Sequence, residues 1–329
     1  MGLDRSGQEI TCESCAMWRC RSCSGIGSAR YLLEARGRDD LCRAVEWVAA
    51  QRPDRVFVIG LGSNLVFPDG YFDGAVIRVV RDDGGSLRHL GDGRVEGYGG
   101  EVLDRVIRFA FDEGLVGLEW AGGLPGTLGA AVRGNVGAFG GEMTDCLESA
   151  EVVALGDSGD AVRTLSHADL AFAYRDSFVK RAGNLIVLSA TLALEPADPA
   201  RLATARQTYE ANVRYRYNRH PMELPNCGSV FKNIHRREQV ERVLAVWPDI
   251  EERVRNDWHG KVSMGYIISR LGLAGYQVGR ARVSEKHNNF IVNLGGARAA
   301  DVRAIIQRIQ TAVEATFGFV PEVEIELID

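Results

Sequence analysis

Val56-Phe57-Val58-Ile59-Gly60-Leu61-Gly62-Ser63-Asn64-Leu65-Val66-Phe67 is the stretch on which the fold turns. Val56 to Ile59 is short and wholly apolar, as a buried strand is, and it breaks at once into Gly60, Leu61, Gly62, Ser63 and Asn64. Bare backbone amides and a short hydroxyl at a strand end can form an anion-binding nest. The GxGSN spacing lacks the third glycine and the following helix of a Rossmann fingerprint, which excludes the nicotinamide-type doubly wound fold. Taken alone, the stretch fits a plain tight turn equally well.

A second glycine cluster changes that balance. Residues 114–145, GLVGLEWAGGLPGTLGAAVRGNVGAFGGEMTD, are too rich in glycine for a regular helix and too apolar for a solvated linker. Gly122, Gly123, Pro125, Gly126, Thr127, Gly129, Asn135, Gly137 and Gly140 allow a second close backbone approach, and two such segments in one unit imply a dinucleotide.

The surrounding chain carries these segments as an ordinary folded protein would. At 329 residues it exceeds one hydrophobic core, and 46% hydrophobic with 25% charged residues excludes disordered and fibrous classes. A net charge of −5 leaves no bulk positive field for nucleic acid or an anionic membrane. No apolar run approaches the roughly 20 residues that span a bilayer, and MGLDRSGQEITCESC lacks a signal-peptide core, so a cytoplasmic address is expected. Cys12, Cys15, Cys20 and Cys23 could close on zinc, but their central loop is shorter than in zinc ribbons. Reduced thiols in an amino-terminal extension, with no metal, are the expectation. Nothing in the chain requires an obligate protein partner.

Helical spacing of Leu41, Ala44, Val45 and Val48 predicts a helix over 39–50, and alternation predicts strands at 56–59, 65–67 and 75–80. A second unit is expected from a strand at 94–97, a helix from Glu101, strands at 151–155, 162–165 and 185–194, and an exit helix over 199–209. The boundary falls near residue 210. Beyond it, RYRYNRHPMELPNCGSVFKN reads as a proline-punctuated loop lining a cleft. Val302, Ile305, Ile306, Ile309 and Val313 mark an amphipathic helix before a terminal strand over 320–328.

Five stretches occur in order: VIGLGSNLVFPDGYFDGAVIR (58–78), GLEWAGGLPGTLGAAVRGNVGAFGGE (117–142), AYRDSFVK (173–180), NCGSVFKN (226–233) and GYQVGRARVSEKHNNFIVN (275–293). Together they resemble the UDP-N-acetylenolpyruvoylglucosamine reductase family from about Gly25 to Ile328. The resemblance implies an α+β protein: a vanillyl-alcohol-oxidase-type FAD-binding domain of two α/β subdomains and a carboxyl-terminal α+β substrate-binding domain. The expected divisions are a cysteine-containing extension over 1–24, FAD-binding subdomains over 25–81 and 82–210, and the substrate domain over 211–329.

The family's reaction is NADPH-dependent reduction of the enolpyruvyl ether of UDP-N-acetylglucosamine to UDP-N-acetylmuramate in peptidoglycan synthesis, with FAD as the hydride carrier. The resemblance implies FAD contacts from Gly60, Gly62, Ser63, Asn64, Gly122, Pro125, Gly126, Thr127, Gly129, Asn135 and Gly137. Hydride delivery to C3 leaves a carbanion at C2 beside a carboxylate, a charge that needs cationic and hydrogen-bonding donors. Arg175 falls at the family's arginine, Ser229 at its proton donor to C2, and Glu324 at its glutamate, which must be protonated to help. Glu322 and Glu326 stand close by, and counting from Phe317-Gly318 selects Glu324. Tyr174, Arg219, Lys232, Asn233 and His287 are expected to meet the nucleotide-sugar substrate or NADPH.

Departures from the family pattern include Leu61 and Arg280 at glycine positions, Val136 and Cys227 at alanine positions, Ile234 for proline and Ser269 for aspartate. They leave room for a paralogous flavin oxidoreductase of specialised metabolism acting on another unsaturated or nucleotide-sugar substrate. A regulatory protein without turnover is opposed by retention of Arg175, Ser229 and Glu324.

Overall fold

A computed structural model describes residues 28–81, 86–156 and 161–328. The extension with Cys12, Cys15, Cys20 and Cys23 lies outside them. The described chain falls into two compact units, one of Ala29–Leu61 with Phe72–Arg216, the other of Gly62–Tyr71 with residues 217–328. The crossing from the first to the second therefore lies inside the glycine turn, between Leu61 and Gly62.

In the first unit, Val56–Ile59 pairs in parallel with Tyr71–Val79, and Ser28–Ala35 completes a three-stranded sheet with Tyr71–Val79 in the middle. The helix Arg38–Gln51 buries Leu41, Ala44, Val45 and Val48 in the core that also holds Leu33, Ile77 and Val79. The spacing of its apolar residues gives it one buried stripe, each large aliphatic on it contributing about 1.5–3 kcal/mol. The expected helix and the strand over 56–59 are present. Ser28–Ala35, which sequence reading passed over, alternates weakly in burial.

A five-stranded antiparallel sheet follows, in the order Arg163–Ser166, Leu147–Ala154, Leu185–Ala193, Arg94–Tyr98, Leu87–Gly91. The helix Leu103–Asp112 turns Leu103, Val106, Ile107, Ala110 and Phe111 into the core shared with this sheet. Two expectations fail here. The glycine-rich stretch does contain a helix, Leu128–Gly134, of seven residues. Leu128, Ala131 and Val132 bury one face, and Thr127 caps it by accepting from Ala130 N, so packing and capping override the low propensity of its glycines. The exit helix is also longer than expected: it runs 21 residues, Pro199–Arg219, into the start of the segment read as a loop. Ala205, Tyr209 and Arg216 are its buried positions, a stripe in which an arginine takes an apolar residue's place.

The second unit has a four-stranded antiparallel sheet, in the order Asn226–Ser229, Phe290–Asn293, Ala281–Val283, Gln277–Val278. The helix Ala299–Phe317 packs Ile305, Ile306, Ile309, Val313 and Phe317 into its core, as the periodicity predicts. The terminal strand is shorter than expected. Only Glu326–Leu327 is extended in a ladder, parallel to Leu65–Val66, with Val323 bridging to Phe231. Leu65–Val66, expected to serve the first sheet, thus pairs with the carboxyl terminus instead.

Candidate active site

Gly60 ends the strand Val56–Ile59, and a Cβ on it would stand 2.6 Å from the Thr127 Oγ1. The first glycine turn therefore abuts the second glycine cluster within one unit, at a distance only a residue without a side chain allows. At Gly126, φ is +153° and no atom lies within 4 Å of a Cβ position, so there is room on that side of the residue, whose carbonyl accepts from Leu103 N. Two adjoining lengths of bare main chain fit a flat, extended group such as a flavin dinucleotide laid against backbone amides. Pro125 is exposed beside them and Thr127 is buried.

Other glycines of the cluster have structural reasons of their own. A Cβ at Gly122 would meet Tyr209 O at 2.7 Å, so the long helix packs directly on this backbone. At Gly129 the neighbour is Gly99 O, 3.0 Å away. Asn135 adopts a left-handed backbone at the end of Leu128–Gly134. Its side chain donates to Ala173 O and Glu142 Oε2 and accepts from Thr144 N, which ties the loops of the cluster together.

Arg175 is fastened to that framework. Its Nη2 donates to Gly137 O at 2.6 Å and its Nη1 to Asn135 O at 3.4 Å, while its guanidinium lies 5.1 Å from the Tyr174 ring centroid. Its φ is +57°, a left-handed conformation costing a non-glycine residue about 1–2 kcal/mol. The turn around it holds that geometry: Ala173 and Asp176 exchange backbone hydrogen bonds, Lys180 Nζ donates to Arg175 O, and Ser177 donates to Arg133 O. The result is a cation aimed by several independent bonds.

Sequence reading missed a second arginine in this unit. Arg216 is only 8% exposed, donates from Nε to Gly122 O at 2.9 Å, and rests 5.1 Å from the centroid of Phe139. Desolvation first, and the charge of Arg175 second, lower its pKa to about 10. The available signal was its place seven residues after Tyr209 on the buried stripe, which the loop reading concealed.

In the second unit, Ser229 closes the strand Asn226–Ser229, half-buried, and pairs with Phe290. Gly228 before it has φ +77° and donates to the Asn226 side chain, a bend that turns the strand end. Glu324 N donates to Val230 O at 2.8 Å, and Asn64 Nδ2 donates to Glu324 O at 3.2 Å. Ser229, Glu324 and the tail of the first glycine turn are thus neighbours. Glu322 is exposed and ion-paired to Lys232, with Arg236 at 3.9 Å, whereas Glu326 lies in the ladder with Leu65.

The remaining expected substrate contacts are more structural in character. Lys232 is held by Glu322 at 2.5 Å, and Asn233 Oδ1 accepts from Met264 N. Both line a cavity of about 320 Å³ with His235, Arg236, Gln239 and Gln310. Burial lowers the pKa of His287, whose Nδ1 accepts from Asn289 N and whose ring packs on His220 and Phe290, so it stands there as a neutral ring. Arg219 is exposed at the end of the long helix. Among the described residues, no group of histidines, cysteines and acids has the arrangement of a metal site. No helix among them is long and apolar enough to cross a membrane.

A unit with two adjoining bare-backbone segments, joined to a second α+β unit, fits an FAD-dependent oxidoreductase. The family described as FAD binding domain matches residues 29–164, and the UDP-N-acetylenolpyruvoylglucosamine reductase C-terminal domain matches residues 220–328. The chain is 37% identical over 301 residues to the UDP-N-acetylenolpyruvoylglucosamine reductase of Synechococcus sp. strain WH7803, covering 91% of this chain and 87% of that one. To the enzyme of that name from Caldicellulosiruptor bescii it is 35% identical over 303 residues, covering 92% and 85%. The crystal structure of the Thermus caldophilus UDP-N-acetylenolpyruvylglucosamine reductase superposes with a TM-score of 0.65 at 30% identity, covering 91% of this chain and 92% of that one. The chain belongs to the UDP-N-acetylenolpyruvoylglucosamine reductase family. FAD and NADPH are its cofactors, peptidoglycan synthesis is its pathway, and the α+β architecture expected from the motifs is the one observed.

Proposed function

We propose that this chain reduces the enolpyruvyl ether of UDP-N-acetylglucosamine to UDP-N-acetylmuramate in the cytoplasm, with Arg175, Ser229 and Glu324 acting on the substrate. Bound FAD would supply a hydride, drawn from NADPH, for addition to C3 of the enolpyruvyl group. The electron pair of the broken C=C bond then resides on C2, beside the carboxylate. Arg175 lowers the energy of that charge with a guanidinium already fixed on Gly137 O and Asn135 O, so little reorganisation accompanies the reaction. Ser229 gives its hydroxyl proton to C2, which a weak acid can do because the acceptor is so strong a base, and water restores the proton. Glu324, in its protonated form, donates a hydrogen bond to the dianion.

The observation that carries this reading is the hydrogen bond from Glu324 N to Val230 O at 2.8 Å, next to Ser229. It supports Glu324 over Glu322, whose carboxylate is already engaged by Lys232. Gly60, Gly126 and Thr127 are the contacts best suited to the cofactor, with Gly62, Ser63, Asn64 and Pro125 near them in sequence and Gly137 held by Arg175. The specialised-metabolism alternative has no observation in its favour.

The test is turnover of the FAD-loaded protein with NADPH and UDP-N-acetylenolpyruvoylglucosamine, in wild type and in Glu322→Gln, Glu324→Gln and Glu326→Gln. The expected result is UDP-N-acetylmuramate from wild type and severe loss in Glu324→Gln alone. Equal activity of all three variants would overturn the assignment of Glu324, and absence of product from wild type the function.

A further inference from the structure

The buried acids of this protein have basic partners. Glu101, wholly buried, has Arg105 at 3.5 Å and Arg81 at 3.8 Å, and buried Asp301 has Arg298 at 3.4 Å. Arg216 breaks the pattern. It is the one buried arginine among the described residues, and no described carboxylate lies within ion-pair distance of it. Its Nε is used by Gly122 O and one face of its guanidinium by Phe139. The charge nearest in effect is another cation, Arg175, which opposes its protonation.

Removing a guanidinium from water without a counter-charge costs several kcal/mol, and a like charge beside it adds to the cost. Phe139 is also held at φ +50° and is 45% exposed, standing edge-on to the half-exposed ring of Tyr215, 5.4 Å between centroids. An aromatic in a strained, solvent-facing position that seats a buried cation is a preorganised arrangement, maintained with no described carboxylate to balance the charge.

We infer that Arg216 and Arg175 together receive one planar, delocalised anion when the enzyme's ligands are bound. Two sources have that chemistry: the carboxylate of the enolpyruvyl substrate, and the N–C=O pyrimidine edge of the flavin once it carries the added electrons. The inference rests on the proposed role of Arg175 toward the substrate and adds Arg216 as a binding residue. A guanidinium fork matches either edge with paired N–H donors, which a lysine could not reproduce.

The experiment uses FAD-loaded Arg216→Gln and wild type, with two readouts independent of turnover. Substrate affinity of the oxidised protein is read from the perturbation of flavin absorbance by UDP-N-acetylenolpyruvoylglucosamine, and the flavin midpoint potential is measured without substrate. A tenfold or greater loss of affinity at unchanged potential supports the inference with the substrate carboxylate as the anion. A fall in potential of roughly 30 mV or more, the two-electron equivalent of tenfold, supports it with the flavin edge. Affinity within twofold together with an unmoved potential overturns it. Should Arg216→Gln fail to hold FAD, Phe139→Leu decides: about a threefold change in either readout is expected, and no change in both overturns the inference. Wild-type turnover is untouched by any of these outcomes, so failure here is distinct from failure of the proposed function.

Discussion

The two units position their proposed catalytic side chains by opposite means. In the first, Arg175 sits in a left-handed turn, and its direction is set by side-chain bonds to Gly137 O and Asn135 O. In the second, Ser229 and Glu324 are set by backbone bonds, the Ser229 strand pairing with Phe290–Asn293 and Glu324 N reaching Val230 O. Charge stabilisation needs a fixed cation at a defined point, and several side-chain bonds to rigid carbonyls provide one. Proton transfer needs a small hydroxyl at a defined height on a strand, and a ladder provides that with no special side-chain support.

This contrast can be broken by substitution. Ser229→Ala leaves the ladder intact and removes only the hydroxyl, so flavin reduction by NADPH should stay within about threefold while reoxidation by substrate falls ~10²–10⁴-fold in stopped flow. Equal losses in the two half-reactions would show that Ser229 supports structure and not proton transfer. Arg175→Gln should lower reoxidation about 10²–10³-fold and, by taking donors from Gly137 O and Asn135 O, should also lower the melting temperature. Gly60→Ala forces a methyl group against Thr127 and should cost about 1–3 kcal/mol of stability, read by denaturant unfolding; unaltered stability would disprove the close approach. Asn64→Ala removes one hydrogen bond to Glu324 O and should cost about 0.5–1.5 kcal/mol in denaturant unfolding, with a smaller effect on turnover.

The smallest effect concerns His287. Burial lowers its pKa below the ordinary 6.5, so the folded state prefers the neutral ring. That contribution to stability is complete above pH 6.5 and is lost as pH falls through the folded-state pKa. Wild type should therefore lose stability faster than His287→Gln as pH drops below 6.5, in paired urea titrations. Parallel curves would mean that the ring is accessible to protons in the folded state.

The sequence made the local parts of this molecule readable and the long-range ones much less so. Leu41, Ala44, Val45 and Val48 announce their helix because a 3.6-residue stripe is a local signal. The short helix Leu128–Gly134 was hidden, since its support comes from the Thr127 cap and from burial against a distant sheet, which its own glycines cannot reveal. Leu65–Val66 looks like part of the first sheet because its neighbours in sequence belong there, yet its partner lies some 260 residues away at Glu326–Leu327. Arg175, Ser229 and Glu324 were nominated by the order of their motifs. Arg216 was not, because an arginine on a buried helical stripe contradicts the pattern that identifies such stripes.

The most direct test of the account is one anaerobic turnover of the wild-type protein. Protein carrying FAD is reduced with a single equivalent of NADPH and then mixed with UDP-N-acetylenolpyruvoylglucosamine, with flavin absorbance and product followed together. The account predicts prompt return of the oxidised absorbance with one UDP-N-acetylmuramate formed per flavin. Absorbance that stays bleached, with the substrate recovered unchanged, would contradict it.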